Sequence, residues 1–451
     1  MNWPAQSPDL VAHAPLVLVP QHFGSLVFDR STSRYLPFDV ETTALLRALI
    51  DRPPHQMVTE VEDPEAFVAF HASIDARGLC APDGRFAGAV LDVTPPADHL
   101  TGPLALHLEI IGACNLACTH CFAGELPRHH APLRLPEIVD LFDQLAAIGS
   151  YRLGLTGGEP LMRKDLFEII DEAGQRGLHP CLTTNGLLLD EVSVRKLGER
   201  DFAWLNVSLD GATAATNDAV RGAGVFDAVC DKLRLLGRYA RFTLAFTITS
   251  LNAAEVDACV RLAWELGAHT AVFRPLYPTG IALRHPELMP TYDQYADALE
   301  RLEQVGHLPI GHEVCGVDPF SPQTRRETQA RTSTWPGCGA GTTVCSISVQ
   351  GQVNPCSFMG PEHDAGNIRD QPFRAIWDTS QGFQAVRNPA LDGCGSGCDG
   401  FQGGCRARAK AAHGSIHAAD PWLDAYRNRV GGHHPKTNIH LSSRRGREGS
   451  R

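Results

Sequence analysis

The chain has 451 residues, 43% of them hydrophobic and 20% charged, so its composition is that of an ordinary globular protein, and its length predicts two or three domains. A net charge of -11 argues against a general nucleic-acid-binding protein, because phosphate binding needs a positive surface. No apolar run of about 18 residues predicts a membrane span, and Met1–Leu10 lacks the pattern of a secretory signal, so we expect a cytoplasmic protein.

The first predicted domain, with its linker, spans residues 1–95. It opens with a short apolar strand at Leu16–Pro20, and Ser25–Phe28 and Arg34–Phe38 flank a turn-prone stretch that predicts a hairpin. Two amphipathic helices follow, at Glu41–Ile50 and Pro64–Arg77. A stretch containing Pro and Gly, Ala81–Pro103, then reads as a linker.

Residues 100–284 alternate between strands and helices. The predicted strands are Leu104–Ile111, Tyr151–Thr156, Cys181–Thr184, Trp204–Leu209, Phe242–Thr249 and Ala271–Leu276. Six β–α units predict a parallel sheet with functional residues at its carboxyl ends. Because six units are fewer than a closed eight-stranded barrel needs, we expect an α/β fold built on an open, partial (β/α)6 TIM-like barrel.

The rest of the chain divides into three predicted parts. Residues 285–330 read as a helical connector, and residues 331–425 are rich in Gly and Cys with little apolar material, which is typical of a region that depends on bound metal for its fold. Residues 426–451 are rich in Arg, His, Ser and Gly and read as a disordered tail.

The fourteen cysteines are unevenly distributed. In a reducing compartment clustered cysteines bind metal or do redox chemistry more often than they form disulfides. We interpret five isolated cysteines as small buried apolar residues: Cys80, Cys181, Cys230, Cys259 and Cys315. The other nine fall into two groups, one after the first barrel strand and one near the C-terminus.

The first group is Cys114-Asn-Leu-Ala-Cys118-Thr-His-Cys121. Three thiolates at this spacing can hold three irons of a [4Fe–4S] cluster and leave the fourth iron open to another ligand. The alternative is a zinc site completed by His120 or another histidine.

The CxxxCxxC spacing resembles the signature of the radical S-adenosylmethionine (SAM) superfamily, and further motifs follow in order at successive strand ends. By this resemblance a [4Fe–4S] cluster cleaves SAM to a 5′-deoxyadenosyl radical. Glu159 with the backbone of Gly157–Gly158 then holds the methionyl amino group, and Ser208 contacts the ribose or the methionyl carboxylate. Arg221 pairs with that carboxylate, and adenine packs near Arg274. The full predicted SAM-binding set is Gly157, Gly158, Glu159, Pro160, Thr184, Asn185, Ser208, Asp210, Arg221 and Arg274.

The second cysteine group resembles the SPASM domain that is appended to peptide-modifying members of this superfamily. The resemblance is carried by Cys338-Gly-Ala-Gly341, Gly351-Gln-Val-Asn-Pro355-Cys356 and Gly403-Gly404-Cys405. It implies that one auxiliary [4Fe–4S] cluster is held by Cys338, Cys345, Cys356 and Cys405. The alternative of a metal-free structural role leaves the clustering of six thiols in a polar segment without a reason.

A second auxiliary cluster has an incomplete ligand set. Cys394 and Cys398 stand where the family has two of its ligands, but Phe401-Gln402 and Trp422-Leu423 occupy the places of the other two. We therefore favour one intact auxiliary cluster. The residues that could complete a second one are His413, His417, Asp399 and Cys315, and a zinc-bound or metal-free Cys394/Cys398 pair is the remaining alternative.

The N-terminal domain resembles the winged-helix-like PqqD domain, which implies that the leader of a precursor peptide adds a strand to its sheet. The chain as a whole resembles maturases of ribosomally made peptides such as the mycofactocin maturase. This predicts an oxidative decarboxylation, cross-link or similar oxidation of a precursor peptide, with flavodoxin or ferredoxin as reductant. The alternatives are modification of a tetrapyrrole side chain, since the GGCRARA segment also resembles haem-pathway relatives, and a non-catalytic electron-transfer or peptide-binding scaffold.

Overall fold

We analysed a computed structural model of the chain. It describes residues 8–123, 131–305, 308–314, 320, 338–387 and 404–430. Within these ranges no helix is long and apolar enough to cross a membrane.

The strands are β1 Leu16–Gln21, β2 Gly24–Asp29, β3 Arg34–Asp39, β4 Gly88–Val90, β5 Ala105–Ile111, β6 Arg152–Gly157, β7 His179–Thr184, β8 Trp204–Ser208, β9 Thr243–Ile248, β10 Thr270–Pro275, β11 Gly311–Val314, β12 Val344–Ile347, β13 Gln352–Asn354 and β14 Gly366–Asn367. The α-helices are α1 Pro8–His13, α2 Val40–Asp51, α3 Pro54–Met57, α4 Pro64–Asp75, α5 Leu135–Ala147, α6 Leu166–Gln175, α7 Glu191–Gly198, α8 Ala214–Arg221, α9 Val225–Leu236, α10 Val256–Glu265, α11 Tyr292–Gln304, α12 Phe373–Thr379, α13 Gln381–Arg387, α14 Arg406–His413 and α15 Leu423–Val430.

The N-terminal module is a four-stranded sheet in the order β3-β2-β1-β4, covered on one face by α2 and α4. The predicted hairpin is confirmed, with Val27 opposite Leu36 in the β2–β3 register. The predicted linker is more structured than expected, because β4 lies within it and pairs in parallel with β1. β4 has only three residues, too few to show the alternation of apolar and polar residues by which a strand is predicted from sequence.

Both faces of β1 are buried, and this joins the module to the rest of the protein. Leu16 and Leu18 pack into the module's own core, whereas Val17 and Val19 pack into the main core of the barrel. Polar contacts add to this junction: the Tyr35 hydroxyl donates to the Gly149 carbonyl at 3.0 Å. The contacts lie where β6 and β7 begin, so the module sits at the amino ends of the barrel strands.

The predicted six-stranded parallel barrel is confirmed. Strands β5 to β10 lie side by side in chain order, and β11 and β12 extend the sheet in parallel at its two edges. β13 and β14 then add antiparallel strands beyond β12, so ten strands form one open sheet. Along β5, Leu106 and Leu108 are fully buried against the helices, and the alternate residues His107 and Glu109 face the lumen.

The C-terminal helix α15 extends five residues into the segment that was predicted to be a disordered tail. Tyr426 contacts Tyr292 edge-to-face with ring centroids 5.8 Å apart, and Arg429 pairs with Asp297 and Glu300 of α11. These contacts come from residues more than 100 positions away, which local composition does not reveal. The remainder of the predicted tail lies outside the described residues.

Candidate active site

A cavity lies at the carboxyl ends of the barrel strands, with an empty volume of about 790 Å³ that includes its open mouth. The sequence-predicted residues that line it are Cys114, Cys118, Cys121, Gly157, Gly158, Glu159, Thr184, Asn185, Ser208, Arg221 and Arg274. Two members of the predicted SAM-binding set, Pro160 and Asp210, are buried behind this lining. Motifs scattered over 160 residues therefore converge on one space of the size that small-molecule sites usually have.

The loop that carries the three cysteines follows β5 and is clamped against the end of β6. The Gly158 amide donates to the Ile111 carbonyl at 2.6 Å, and the Glu159 amide donates to the Ala113 carbonyl at 2.8 Å. A Cβ atom on Gly158 would lie 2.0 Å from the Ala113 carbonyl oxygen, and Gly157 has a φ of +135°. The two glycines are thus required where the cysteine loop approaches the strand.

Glu159 links the ends of β6 and β7. Its buried carboxylate accepts hydrogen bonds from the Thr184 hydroxyl at 2.6 Å and from the backbone amides of Asn185 at 2.7 Å and Leu161 at 3.0 Å. Burial raises the pKa of Glu159 although these bonds act to lower it. A carboxylate has about four acceptor positions, so one remains for a ligand, and a cation there would favour the charged form.

Asp210 forms a second buried network behind the cysteine loop. Its Oδ2 atom lies 2.6 Å from Arg221 Nε and 2.8 Å from His120 Nε2, and the Thr247 amide donates to Oδ1 at 2.7 Å. Burial alone would raise the pKa of Asp210, but the charges of Arg221 and His120 outweigh it and hold the pKa below its usual range. The network fixes the Arg221 side chain beside Cys118 and Cys121, whose thiols interact with its charge.

The described residues do not support the zinc alternative. His120 uses Nε2 to contact Asp210, and no three His, Cys, Asp or Glu side chains within the described ranges converge on a point as the ligands of a single ion do. The ligands of a [4Fe–4S] cluster lie at separate corners of a cube and are spread further apart. Three thiols around one cavity, with a fixed carboxylate and a fixed guanidinium beside them, fit that cluster together with a zwitterionic sulfonium ligand such as SAM.

The four thiols predicted to hold the auxiliary cluster also lie together. The Cys338 and Cys405 thiols share a hydrogen bond, Cys356 interacts electrostatically with Cys338, and Cys345 interacts with Cys356. Burial raises the pKa of Cys356 to about 12, so thiolates here need compensating positive charge. The nearby guanidinium groups of Arg406 and Arg387 supply it. The set therefore fits a four-cysteine cluster, in which iron stabilises the thiolates further.

The second auxiliary cluster cannot be located, because Cys315, Cys394, Cys398 and Asp399 lie outside the described residues. At the position of its last expected ligand, Trp422 packs in an aromatic cluster. Its ring stacks on Tyr295 with centroids 5.2 Å apart, and the Arg408 guanidinium lies 4.0 Å from the Trp422 ring centroid. Aromatic packing thus joins this end of the chain to α11.

Several residues of the site were not predicted. Phe122, Tyr277 and Phe358 line the cavity, and Asn252 donates to the Asp210 and Thr247 carbonyls at 2.9 and 2.8 Å. The fifth predicted strand ended in polar residues without a recognised motif, which was a usable signal for Thr247. The aromatic residues gave no such signal, because each follows a motif assigned to another function.

Comparison with known proteins gives matches to two families. Residues 108–263 match the radical SAM superfamily, and residues 338–399 match the SPASM iron–sulfur cluster-binding domain. The chain is 32% identical over 316 residues to the mycofactocin maturase MftC of Mycobacterium tuberculosis (strain ATCC 25618 / H37Rv), which covers 68% of this chain and 79% of that protein. It is 33% identical over 338 residues to the AdoMet-dependent heme synthase of Methanosarcina barkeri, which covers 71% of this chain and 96% of that protein.

Solved structures show the same fold. Streptococcus suis SuiB bound to the precursor peptide SuiA superposes with a TM-score of 0.68 at 14% identity, covering 92% of this chain and 98% of SuiB. The structure of anSMEcpe with bound AdoMet superposes with a TM-score of 0.56 at 19% identity, covering 72% of this chain and 95% of that one.

Proposed function

This chain belongs to the radical SAM superfamily and carries a SPASM iron–sulfur domain, and on that basis we propose that it modifies a ribosomally made precursor peptide. When bound, the [4Fe–4S] cluster and SAM supply a 5′-deoxyadenosyl radical that abstracts hydrogen from the substrate. The observation that carries the proposal is the convergence of Cys114, Cys118 and Cys121 with Glu159 and Arg221 around one open cavity.

Different residues of the cavity bind the cluster and SAM. Cys114, Cys118 and Cys121 hold the cluster, and the remaining acceptor position of Glu159 receives the methionyl ammonium. Arg221, oriented by Asp210, pairs with the methionyl carboxylate. Other lining residues of the predicted SAM-binding set complete the pocket: Gly157, Gly158, Thr184, Asn185 and Ser208.

The SPASM domain provides a route for electrons. An oxidation or cross-link removes electrons from the substrate, and the auxiliary cluster that Cys338, Cys345, Cys356 and Cys405 would hold can accept them. Tyr277 and Phe358 belong both to the cavity lining and to the apolar cluster that surrounds three of those thiols. We propose a flavodoxin or ferredoxin as the reductant.

The N-terminal module is the proposed site for the peptide's leader. Strand β3 is an edge of its sheet, and no strand of the described residues pairs with its outer side. An extended peptide can add a strand to such an edge through main-chain hydrogen bonds. SuiB, a structural relative over nearly the whole chain, has been solved with its precursor peptide.

A tetrapyrrole substrate is the second candidate. It is favoured by the relationship to an AdoMet-dependent heme synthase, which is matched over 96% of its length. A non-catalytic scaffold is disfavoured because Glu159 and Arg221 of the predicted SAM site both line the cavity beside the three cysteines.

The test is anaerobic reconstitution with iron and sulfide, followed by SAM and dithionite. We expect 5′-deoxyadenosine, and a mass change in a short peptide encoded beside this gene. Conversion of a haem precursor without any change in the peptide would favour the second candidate. Absence of 5′-deoxyadenosine from a protein with full iron content would reject the catalytic proposal.

A further inference from the structure

Arg274 projects into the lumen of the barrel. It lies on β10, where the alternate residues Ala271 and Phe273 are fully buried against the helices. Because successive side chains of a strand point to opposite faces, Arg274 faces the other way, and it lines the cavity together with Tyr277.

The other charged groups of the cavity already have partners. Arg221 and His120 contact Asp210, and Glu159 accepts three hydrogen bonds. Arg274 forms no hydrogen bond or ion pair with a residue in the described part of the chain. A half-buried guanidinium that has no counter-ion among the described residues favours the binding of an anion.

Two guanidinium groups thus border the cavity, those of Arg221 and Arg274, and each lies near a different part of its lining. The charge of Arg221 acts on Cys118 and Cys121, which places it at the cysteine loop. The charge of Arg274 acts instead on His107, a residue of β5 that faces the lumen. Burial, followed by this charge, lowers the pKa of His107 to about 4, so the histidine is neutral near pH 7 and adds no competing charge.

An apolar wall stands beside this guanidinium. Tyr277 and Phe358 stack with ring centroids 4.3 Å apart, and Phe122 meets Phe358 edge-to-face at 5.8 Å. Ser357, next to Phe358, lies 3.2 Å from His107 Nδ1 and ties the wall to β5. Among the described residues, the cavity therefore offers the unpaired guanidinium of Arg274 beside aromatic surface, a combination suited to an acid on an apolar stem.

We propose that Arg274 binds a carboxylate of the substrate and makes the cavity selective for an acid carried on an apolar stem. This inference rests on the proposed function and identifies the chemical group that the substrate presents. Adenine can still pack against the backbone at Pro275 and Leu276, since only the guanidinium is assigned to the substrate. Arg274 is thus a specificity-determining residue.

The test uses matched acid and amide probes on the reconstituted full chain with saturating SAM. N-acetylphenylalanine and its amide represent the C-terminal carboxylate of a peptide, and 3-phenylpropionate and its amide represent a propionate side chain. We expect calorimetry to show, for one of the two pairs, that the Kd of the acid is at least tenfold lower than the Kd of its amide. The pair with the larger ratio identifies the source of the carboxylate.

Arg274→Gln should abolish this preference, Arg274→Lys should retain part of it, and Arg238→Gln, which changes an exposed arginine on the outer surface, should leave it intact. The Kd of SAM, measured for each variant by equilibrium dialysis, distinguishes an Arg274 that binds the substrate from one that binds the cofactor.

Equal binding of acid and amide, or a preference that survives in Arg274→Gln, would overturn the inference. Displacement of SAM by the acids, or tenfold weaker SAM binding in Arg274→Gln, would show that Arg274 holds the cofactor instead. Failure of the wild type to cleave SAM would contradict the proposed function, whereas the acid preference would still be measurable.

Discussion

The ring of Phe122, which directly follows Cys121, meets the ring of Phe358, two residues after Cys356, edge-to-face with centroids 5.8 Å apart. The loop that carries Cys121 and the loop that carries Cys356 are therefore in direct contact through aromatic side chains. Phe358 also stacks on Tyr277. Three rings, those of Phe122, Tyr277 and Phe358, thus stand between the cysteine loop after β5 and the Cys356 loop.

Removal of the Phe358 ring should open the apolar wall that these rings form. We expect Phe358→Ala to lower the free energy of unfolding by about 2–3 kcal/mol and to raise the release of 5′-deoxyadenosine without substrate several-fold, because loss of the ring adds to the solvent access that the open mouth already gives. Phe358→Leu should show less of both effects. Phe226→Ala, at a half-buried ring on the outer helix α9, serves as the control; an equal rise in 5′-deoxyadenosine there would contradict the explanation.

Gly158 should be essential for the SAM-binding cluster. In Gly158→Ala the new Cβ would overlap the Ala113 carbonyl oxygen, so the cysteine loop must move, and we expect the loss of about four irons per chain. Iron and sulfide analysis after reconstitution measures this. Gly174→Ala is the matched control: its Cβ meets no atom within 4 Å, and it should keep all iron and gain roughly 0.5–1 kcal/mol of stability.

Asp210 should matter both for stability and for SAM binding. Asp210→Asn removes the charge that pairs with Arg221 and His120, so we expect a loss of about 3–5 kcal/mol in unfolding free energy. The Kd of SAM should rise tenfold or more, because Arg221 is no longer oriented. Equilibrium dialysis and anaerobic thermal unfolding measure the two effects. Asp143→Asn, at an exposed pair with Arg176, should change stability by less than about 1 kcal/mol.

The number of clusters is decided by two double variants. Cys338→Ala/Cys405→Ala should lose about four irons, because these buried thiols belong to the complete auxiliary set. Cys394→Ala/Cys398→Ala should keep the iron content of the wild type, since Trp422 packs where a further ligand is expected. A loss of about four irons in the second variant would instead establish a second auxiliary cluster.

Glu109 should make the protein less stable as pH rises. Burial raises the pKa of its carboxyl to about 7, an effect that nearby Asp364 increases and the Val349 amide opposes. An acid with a raised native-state pKa gives its full contribution to stability below its unfolded-state pKa and loses it as pH rises through the native value. Glu109→Gln should therefore stabilise the protein more at pH 8 than at pH 5.5, by up to about 2 kcal/mol.

Thermal unfolding of the holoprotein at the two pH values measures the difference. Glu265→Gln, at an exposed glutamate on α10, should show no difference in stability gain between the two pH values. A Glu109→Gln variant whose stability gain does not depend on pH would contradict the assignment.

The parts of the fold that sequence predicted are those with local signals. The strands β5 to β10 combine apolar alternation with regularly spaced helices, and the cysteines, Glu159 and Arg221 stand in short motifs at their ends. The parts that it missed depend on distant residues. Strand β4 exists because it pairs with β1, and the last turns of α15 exist because Arg429 meets acidic residues of α11.

The same distinction applies to the site. Spacing identified His120 as a possible metal ligand, but its contact with Asp210 joins residues 90 positions apart and could not be read from the motif. The close approach that Gly157 and Gly158 permit was expected from their residue type, whereas the atoms they approach, the carbonyls of Ile111 and Ala113, are known only from the fold.

The N-terminal module contacts the barrel where β6 and β7 begin, and the cavity opens where those strands end. A six-residue strand is about 20 Å long, and an extended chain covers at most about 3.3–3.6 Å per residue. For a leader held on the module, at least six residues must therefore separate the recognised segment from the residue that reacts. The distance sets a minimum spacer length for any precursor, and a peptide with a shorter spacer can occupy the module or the cavity but not both at once.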